Sequence, residues 1–232
     1  MLVPPIAEAS TVLSSLPFDG MLMIEPEEDD ATLANLHDRG TPTLMIGLGE
    51  GAPGPGPGVR FDYAGMAEML IAHMLDAGTR HMPLIVGQSR RPSNLAFRQT
   101  YERMMAGAGL TARVHVVPEV YSERGAAAAV LGDLDAGLPL DGVLAPIDAM
   151  ASGAMAALRQ VGLSVPGDMH LATRYDGFRG RSETPPLTAL NLGLEEVAQI
   201  ATAALIKVIE TGSAPVLHAS DPLLVIRAST AG

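Results

Sequence analysis

Three short apolar runs in this chain end on charged side chains, and any chemistry should sit at those ends. Leu171–Tyr175 runs into Asp176-Gly177. Gly142–Pro146 runs through Ile147 into Asp148. Met82–Gly87 runs into Gln88-Ser89-Arg90-Arg91. Short apolar runs bounded by turn residues read as buried strands. In open α/β sheets, small ligands bind beyond the carboxyl ends of such strands. An ionised carboxylate such as Asp176 only accepts hydrogen bonds, which suits the vicinal hydroxyls of a polyol. The competing role is a loop pairing with Arg174, Arg179 or Arg181. Asp148 is a second acceptor, or else an N-cap that takes backbone N–H groups of the following helix. Arg90 and Arg91 offer paired guanidiniums for a carboxylate or phosphate, or are solvated surface.

Other candidate chemistry fails on inspection. Gly47-Leu48-Gly49-Glu50-Gly51-Ala52 fits a dinucleotide-binding fingerprint, but that motif needs a helix next. Pro53, Pro55 and Pro57 forbid one. The acidic run Glu25–Asp30 reads as the acid-rich first turn of a helix rather than a metal site. No two of the six histidines stand at H-x-x-x-H spacing, so no zinc site is expected. Gly87-Gln88-Ser89-Arg90-Arg91 is not a nucleophile elbow, because Arg91 stands where glycine is needed. No nucleophile–base arrangement is visible in the sequence, so no cofactor, metal or catalytic residue is expected from these motifs, and an α/β enzyme such as a hydrolase or dehydrogenase stays the least favoured reading.

The elements that must position these side chains alternate. Strands are expected at the end of Leu2-Val3, Asp19–Glu25, Thr41–Leu48, Val59–Asp62, Met82–Gly87, Val114–Pro118, Gly142–Pro146, Met169–Tyr175, Thr188–Asn191 and Leu223–Ala228. Helices are expected over 7–16, 29–39, 65–77, 94–108, 123–136, 148–161 and 194–210, and a loose loop over 51–58. Strands alternating with helices imply an α/β fold with a parallel, doubly wound sheet.

Composition narrows the class. Aromatic residues are 3% of the chain and Trp is absent, so the core must be aliphatic, which suits helices on parallel sheets. Cysteine is absent, which excludes disulfides and thiolate metal sites and is compatible with a cytoplasmic location. The net charge of −11 repels a phosphate backbone, so any DNA-contacting surface is expected outside this chain. No apolar run approaches the ~20 residues that span a bilayer, and the first ten residues do not read as a signal peptide.

Eight segments in order resemble one family, the effector-binding core of LacI/GalR-type transcriptional regulators. Phe18-Asp19-Gly20-Met21 is similar to V-D-G-[IV], and Arg39–Thr43 to R-G-[IT]-P-[VT]. Val59–Tyr63 sits where the family has V-x-x-D-N, and His73–His81 is similar to H-L-x-x-x-G-H-R-R. Asp148–Ala154 matches N-D-x-[MA]-A-x-G-[AV] after its first position, and Val161–Asp168 resembles G-[LR]-x-[VI]-P-x-D. Tyr175-Asp176 followed by Pro185–Thr188 resembles G-[FY]-D-D and P-P-L-T, and Leu224–Thr230 the terminal L-V-x-R-x-S-T.

The resemblance implies a periplasmic-binding-protein-like core of two doubly wound lobes joined by three chain crossovers. The N-terminal lobe would comprise 1–62 plus 191–216, and the C-terminal lobe 63–190 plus 217–232. Met1–Pro5 matches only the lobe's second strand, so the first strand and helix, and the DNA-binding headpiece, are expected to be missing from this chain. A fragment of a longer protein is the reading adopted; the alternative is that another segment fills the gap. A small effector would bind in the inter-lobe cleft, two cores would pair as a homodimer, and operator DNA would be held by an N-terminal helix-turn-helix. In the family the residue matching Asp176 accepts bonds from ligand hydroxyls. The Asn that precedes Asp148 there is Ile147 here, which points away from a typical sugar contact. Aligning R-L-x-G-[YF] on Tyr101 puts Phe97 at the usual ligand-binding Arg, with Arg98 beside it. Phe97 could stack on a ligand ring. Asp62, Tyr63 and Asn191 fall at crossovers and are candidate ligand contacts. The alternative function is a stand-alone solute-binding protein for transport, which would need an export signal.

Overall fold

The structure, a computed structural model, describes residues 17–27, 29–49 and 56–231. The expected strand end at Leu2-Val3, the expected helix over 7–16 and most of the loop over 51–58 lie outside the described residues. The chain divides into two compact units. The smaller comprises Met1–Phe61 and Leu194–Ala219, and the larger Asp62–Gly193 and Ser220–Gly232.

In the smaller unit β1 (Met21–Ile24), β2 (Thr43–Gly49), β3 (Gly58–Phe61) and β9 (Leu217–His218) form a parallel sheet in the order β1-β2-β3-β9. Strand β9 was not expected, because two residues carry no periodicity. Helix α1 (Ala31–Asp38) starts later than the acidic run suggested. Asp30 is its N-cap, accepting from Thr32 N at 2.8 Å and Leu33 N at 3.1 Å, and its first turn holds no acid. One capping carboxylate replaces the expected dipole-favoured acidic turn. Helix α7 (Leu194–Thr211) buries Val197, Ala201, Ala204 and Val208, an i, i+4, i+7, i+11 stripe, and packs on β1, β2 and β3. Glu25 ends β1 with φ +46°, the one described non-glycine residue with positive φ.

The larger unit holds a six-stranded sheet in the order β10-β8-β7-β6-β4-β5. Its members are β4 (Leu84–Gly87), β5 (Val114–Val117), β6 (Gly142–Leu144), β7 (His170–Tyr175), β8 (Thr188–Asn191) and β10 (Leu223–Val225). All neighbours are parallel except β10 with β8, which are antiparallel. The expected strand over 223–228 thus shortens to three residues on the sheet edge. Its remainder is held by backbone and side chain together: Ser229 O accepts from Leu171 N at 3.1 Å and Ser229 N donates to Pro186 O at 3.2 Å, while Ser229 Oγ donates to Leu171 O at 2.6 Å and accepts from Thr188 N at 2.8 Å.

Four helices carry this sheet: α2 (Tyr63–Asp76), α3 (Pro92–Gly107), α4 (Ser122–Asp135) and α5 (Asp148–Gln160). Helix α3 begins two residues earlier than expected because Pro92 occupies its first position, where a missing N–H costs nothing. Its buried face, Asn94, Phe97, Tyr101 and Met105, follows the helical period. Tyr101 Oη donates to Met82 O at 2.6 Å and accepts from Arg113 N at 3.1 Å. Burial pushes this phenol above its ordinary range. A five-residue helix, α6 (Phe178–Ser182), was not expected and follows Asp176 directly.

The strand order defines where a ligand can bind. The chain passes from β4 outward to β5, then returns across β4 to β6 and continues to β7. The direction reverses between β4 and β6, and crossovers of fixed hand then place their helices on opposite faces. In open α/β sheets such a reversal is where the loops leaving neighbouring strands part and a ligand crevice forms beyond their carboxyl ends.

Candidate functional site

The loops at that crevice are those singled out by sequence: Gln88–Arg91 after β4, Ala145–Asp148 after β6 and Asp176-Gly177 after β7. Asp148 is half-buried. It is the first residue of α5; Ile147 takes the cap position and the helix has no side-chain cap bond. The expected N-cap role is therefore corrected. A Cβ built on Gly177 would lie 3.7 Å from Asp148 Oδ2, so the carboxylate stands beside the end of β7.

Asp176 is more constrained than its sequence neighbours suggested. Its N–H donates to Leu190 O at 3.1 Å. Its Oδ1 receives Arg227 Nη2 at 2.6 Å and Arg181 Nε at 3.1 Å, and Arg181 Nη2 also reaches its carbonyl at 2.6 Å. Of the three arginines named as competing partners, Arg181 pairs with it. Arg227, brought in by the C-terminal segment, was missed, since 51 residues of sequence separate the two.

The loop after β4 is pinned by Glu119, in a short 3-10 turn after β5. Glu119 Oε1 accepts from Ser89 N at 3.0 Å, from Ser89 Oγ and from Asn94 Nδ2 at 3.2 Å. Burial raises this carboxyl, but the Ser89 bonds, the backbone and the charge of Arg91 together outweigh it and hold it below its ordinary value. Gly87 makes the cluster possible: a Cβ there would meet Glu119 Oε1 at 2.2 Å and Asn94 Nδ2 at 2.6 Å. The loop so fixed carries Arg90, exposed, and Arg91, half-buried. Ser89, Asn94 and Glu119 were missed because polar residues flanking a strand–helix turn give no signal until β5 brings Glu119 alongside.

By sequence Arg174 stands out only as a partner for Asp176. It is instead 3% exposed. Its guanidinium carbon lies 4.2 Å from the ring centroid of Tyr175, 5.3 Å from Tyr63 and 5.9 Å from Phe97, and it donates to Tyr175 Oη. Phe97 is fully buried, so the expectation of an open ring face gives way to a core ring beside a guanidinium. Tyr63 is likewise buried beneath Arg174.

The remaining candidates sit apart from these loops. Arg98 is exposed on α3 and pairs with Glu102 one turn on, at 3.0 Å. Asp62 is exposed and caps α2, accepting from Gly65 N at 2.8 Å. Asn191 Oδ1 accepts from Gly193 N at 3.0 Å, shaping the turn into α7. Each makes a local bond that the polar side chain alone explains. Among the described residues no group of three or more His, Cys, Asp or Glu could hold a metal ion, and no helix is long and apolar enough to cross a membrane.

Parallel sheets flanked by helices, the larger with its strand order reversing between β4 and β6, define a fold class, the α/β proteins of periplasmic-binding-protein-like type. Comparison with known proteins narrows it. The periplasmic binding protein-like domain matches residues 71–230. An uncharacterized HTH-type transcriptional regulator from Streptomyces limosus is 29% identical over 208 residues, covering 88% of this chain and 58% of its own. The HTH-type transcriptional regulator CelR of Thermobifida fusca is 25% identical over 75% of this chain and 52% of its own. A solved structure of the transcriptional regulator CelR with cellobiose superposes with a TM-score of 0.82 at 22% identity, over 95% of this chain and 68% of that one. The chain spans about half the length of these curated relatives. It belongs to the periplasmic-binding-protein-like family, as an effector-binding core of LacI/GalR type.

Proposed function

We propose that this chain is the effector-binding and dimerisation core of a cytoplasmic LacI-type regulator. A small sugar-like or related metabolite binds at the carboxyl end of the six-stranded sheet and changes the affinity of the whole regulator for its operator. It is a binding protein, not an enzyme. DNA is contacted by an N-terminal helix-turn-helix outside this chain, and two copies pair. Effector binding acts by favouring one conformation of the regulator over another, as any ligand with differential affinity must.

One observation carries this reading. Asp148, which caps nothing, stands at the strand-order reversal beside Gly177, next to the β4 loop that Glu119 holds rigid. Arg90 and Arg91 add donors on that loop, while Asp176 acts mainly as the anchor of its own strand end. The CelR–cellobiose complex supports a saccharide as the first ligand to try.

The test is calorimetric titration with monosaccharides and disaccharides, cellobiose first. We expect at least one to bind. Asp148→Ala should weaken it about 10-fold or more, the scale of one lost charge-assisted hydrogen bond, with unchanged thermal stability. A bound sugar whose affinity is indifferent to Asp148→Ala and Arg91→Ala alike would refute the site.

A further inference from the structure

One guanidinium of the larger unit is set apart by where it ends. Arg174 is the next-to-last residue of β7, and its N–H donates to Pro146 O at 3.3 Å. Strand β6 stops at Leu144, so Arg174 lies beyond that end, level with the loop that leads to Asp148. Its side chain starts on β7 and finishes beside Phe97 of α3, the helix that leaves β4. Strand β6 lies between β7 and β4. The guanidinium is thus carried across the place where the strand order reverses.

Three rings, Tyr63, Phe97 and Tyr175, and the Tyr175 hydroxyl hold it there. Rings attract a cation and keep water from it, but they add no negative charge. A guanidinium can be held by rings at its faces while its N–H fork stays directed in its own plane, the geometry that matches carboxylate or phosphate oxygens. Out of water and already ordered, such a fork gives an anion more than a solvated arginine can.

The charges around it lean the same way. The acids at these strand ends are Glu119, Asp148 and Asp176, with Asp62 at the start of α2. Asp176 already takes two arginines, Arg181 and Arg227, and the charge of Arg91 already acts on Glu119. With Arg90 and Arg174 the arginines number five to those four acids, in a chain whose net charge is −11. A positive excess at this one place runs against the composition of the whole.

We propose that Arg174 selects the effector by charge: the ligand is a sugar-like metabolite bearing a carboxylate or phosphate, whose anionic oxygens take the Arg174 fork while Asp148 takes its hydroxyls. This rests on the effector reading above, which it narrows from sugars in general to anionic ones. The two side chains then have separate tasks, Asp148 reading hydroxyls and Arg174 reading charge.

The experiment is calorimetric titration of the chain with glucose and galactose, each beside its uronate and its 6-phosphate, which differ from the parent sugar only at carbon 6. For at least one parent sugar, an anionic form should bind about 10-fold or more tighter than the neutral form. The uronate and phosphate arms show which anion fits. Arg174→Met keeps an apolar chain among the rings and removes the charge; with folding checked by circular dichroism, it should bring the two forms to within about twofold of each other. Arg174→Lys keeps the charge without the fork and should fall between wild type and Arg174→Met, so the assignment stays testable if the methionine variant does not fold. Arg103→Ala removes an exposed arginine of α3 that pairs with Glu68 and should keep the wild-type preference, which separates Arg174 from charge in general. Neutral and anionic forms bound alike by wild type, or no binding by any anionic form, would overturn the proposal, and the neutral arm decides separately whether the effector reading survives. A preference undiminished in folded Arg174→Met, or in Arg174→Lys, would overturn it too.

Discussion

At the scale of single residues, the side chain with the strongest sequence signal is the one most committed to structure. Asp176 is 12% exposed at its side chain and takes two guanidiniums, of which Arg227 is itself only 18% exposed. Removing one partner of such a pair leaves the other charge poorly solvated. Asp176→Asn should therefore destabilise the larger unit by about 1–3 kcal/mol, seen as a lower urea midpoint. Asp148→Asn, with no cap bond to lose, should leave the midpoint unchanged. Equal midpoints for wild type and Asp176→Asn would mean the ion pairs are not formed in solution. The two aspartates occupy equivalent strand ends and look alike in sequence. What separates them is Arg227, which only the fold of the C-terminal segment delivers.

At the scale of elements, helix–helix and tail–sheet contacts rest on a few residues whose removal has a stated sign. Gly153 lets α4 and α5 touch, since an added Cβ would lie 2.1 Å from Glu123 O and 2.8 Å from its carbonyl carbon. Both are backbone atoms and cannot rotate away. Gly153→Ala should cost about 1–3 kcal/mol, the usual cost of overpacking, despite alanine's better helix propensity. A neutral or stabilising result would show that the helices can part freely. The C-terminal segment docks through hydroxyls: His73 Nε2 meets Thr230 Oγ1 at 2.7 Å, and Thr230 Oγ1 meets Thr188 Oγ1 at 2.6 Å. Burial lowers the pKa of His73; Asp76 opposes this and His170 adds to it. The folded histidine therefore resists protonation more than the unfolded one. Its contribution is intact above the unfolded value near 6.5 and is lost as pH falls from there through the folded pKa. The urea midpoint should drop between neutral and mildly acidic pH, and His73→Gln should flatten that drop. An identical pH slope in both proteins would remove His73 from the account.

The alternation of apolar runs and helical periods sufficed for the central strands and long helices, because burial on both faces leaves continuous apolar runs whose shortness and flanking turn residues mark them as strands. It failed where structure is set by partners distant in sequence. Strand β9 is two residues long and defined by β3; the run after Val225 leaves the β8 ladder, and Ser229 and Thr230 dock instead on Leu171 of β7 and Thr188 of β8; α6 follows a glycine with no cap bond. The positions of Asp148 and Asp176 beyond the ends of β6 and β7 were legible. The Glu119 cluster and the ring-enclosed Arg174 were not, because neither has a local pattern: one needs β5 beside β4, the other needs α2 and α3 beside β7.

At the scale of the whole molecule, charge is divided unequally. The smaller unit holds 12 of the 26 acidic residues and only three of the 15 lysines and arginines, whereas the larger is nearly balanced, with 14 acids and 12 bases. Most of the net −11 therefore sits on one unit. Non-specific DNA binding depends on lysines and arginines that displace counterions from the phosphates, and this unit has almost none to offer. The chain by itself should show no binding to a labelled duplex at physiological salt, even at the ~10 μM where generic DNA-binding proteins begin to associate. The same chain joined to a basic helix-turn-helix should bind, with an affinity that falls steeply as salt rises. In that fusion the acidic unit would oppose approach to any duplex and leave base contacts of the added helix-turn-helix to select a site. Salt-sensitive binding by the chain alone would place a phosphate-contacting surface within it, and the arginines of the larger unit would be the ones to replace first.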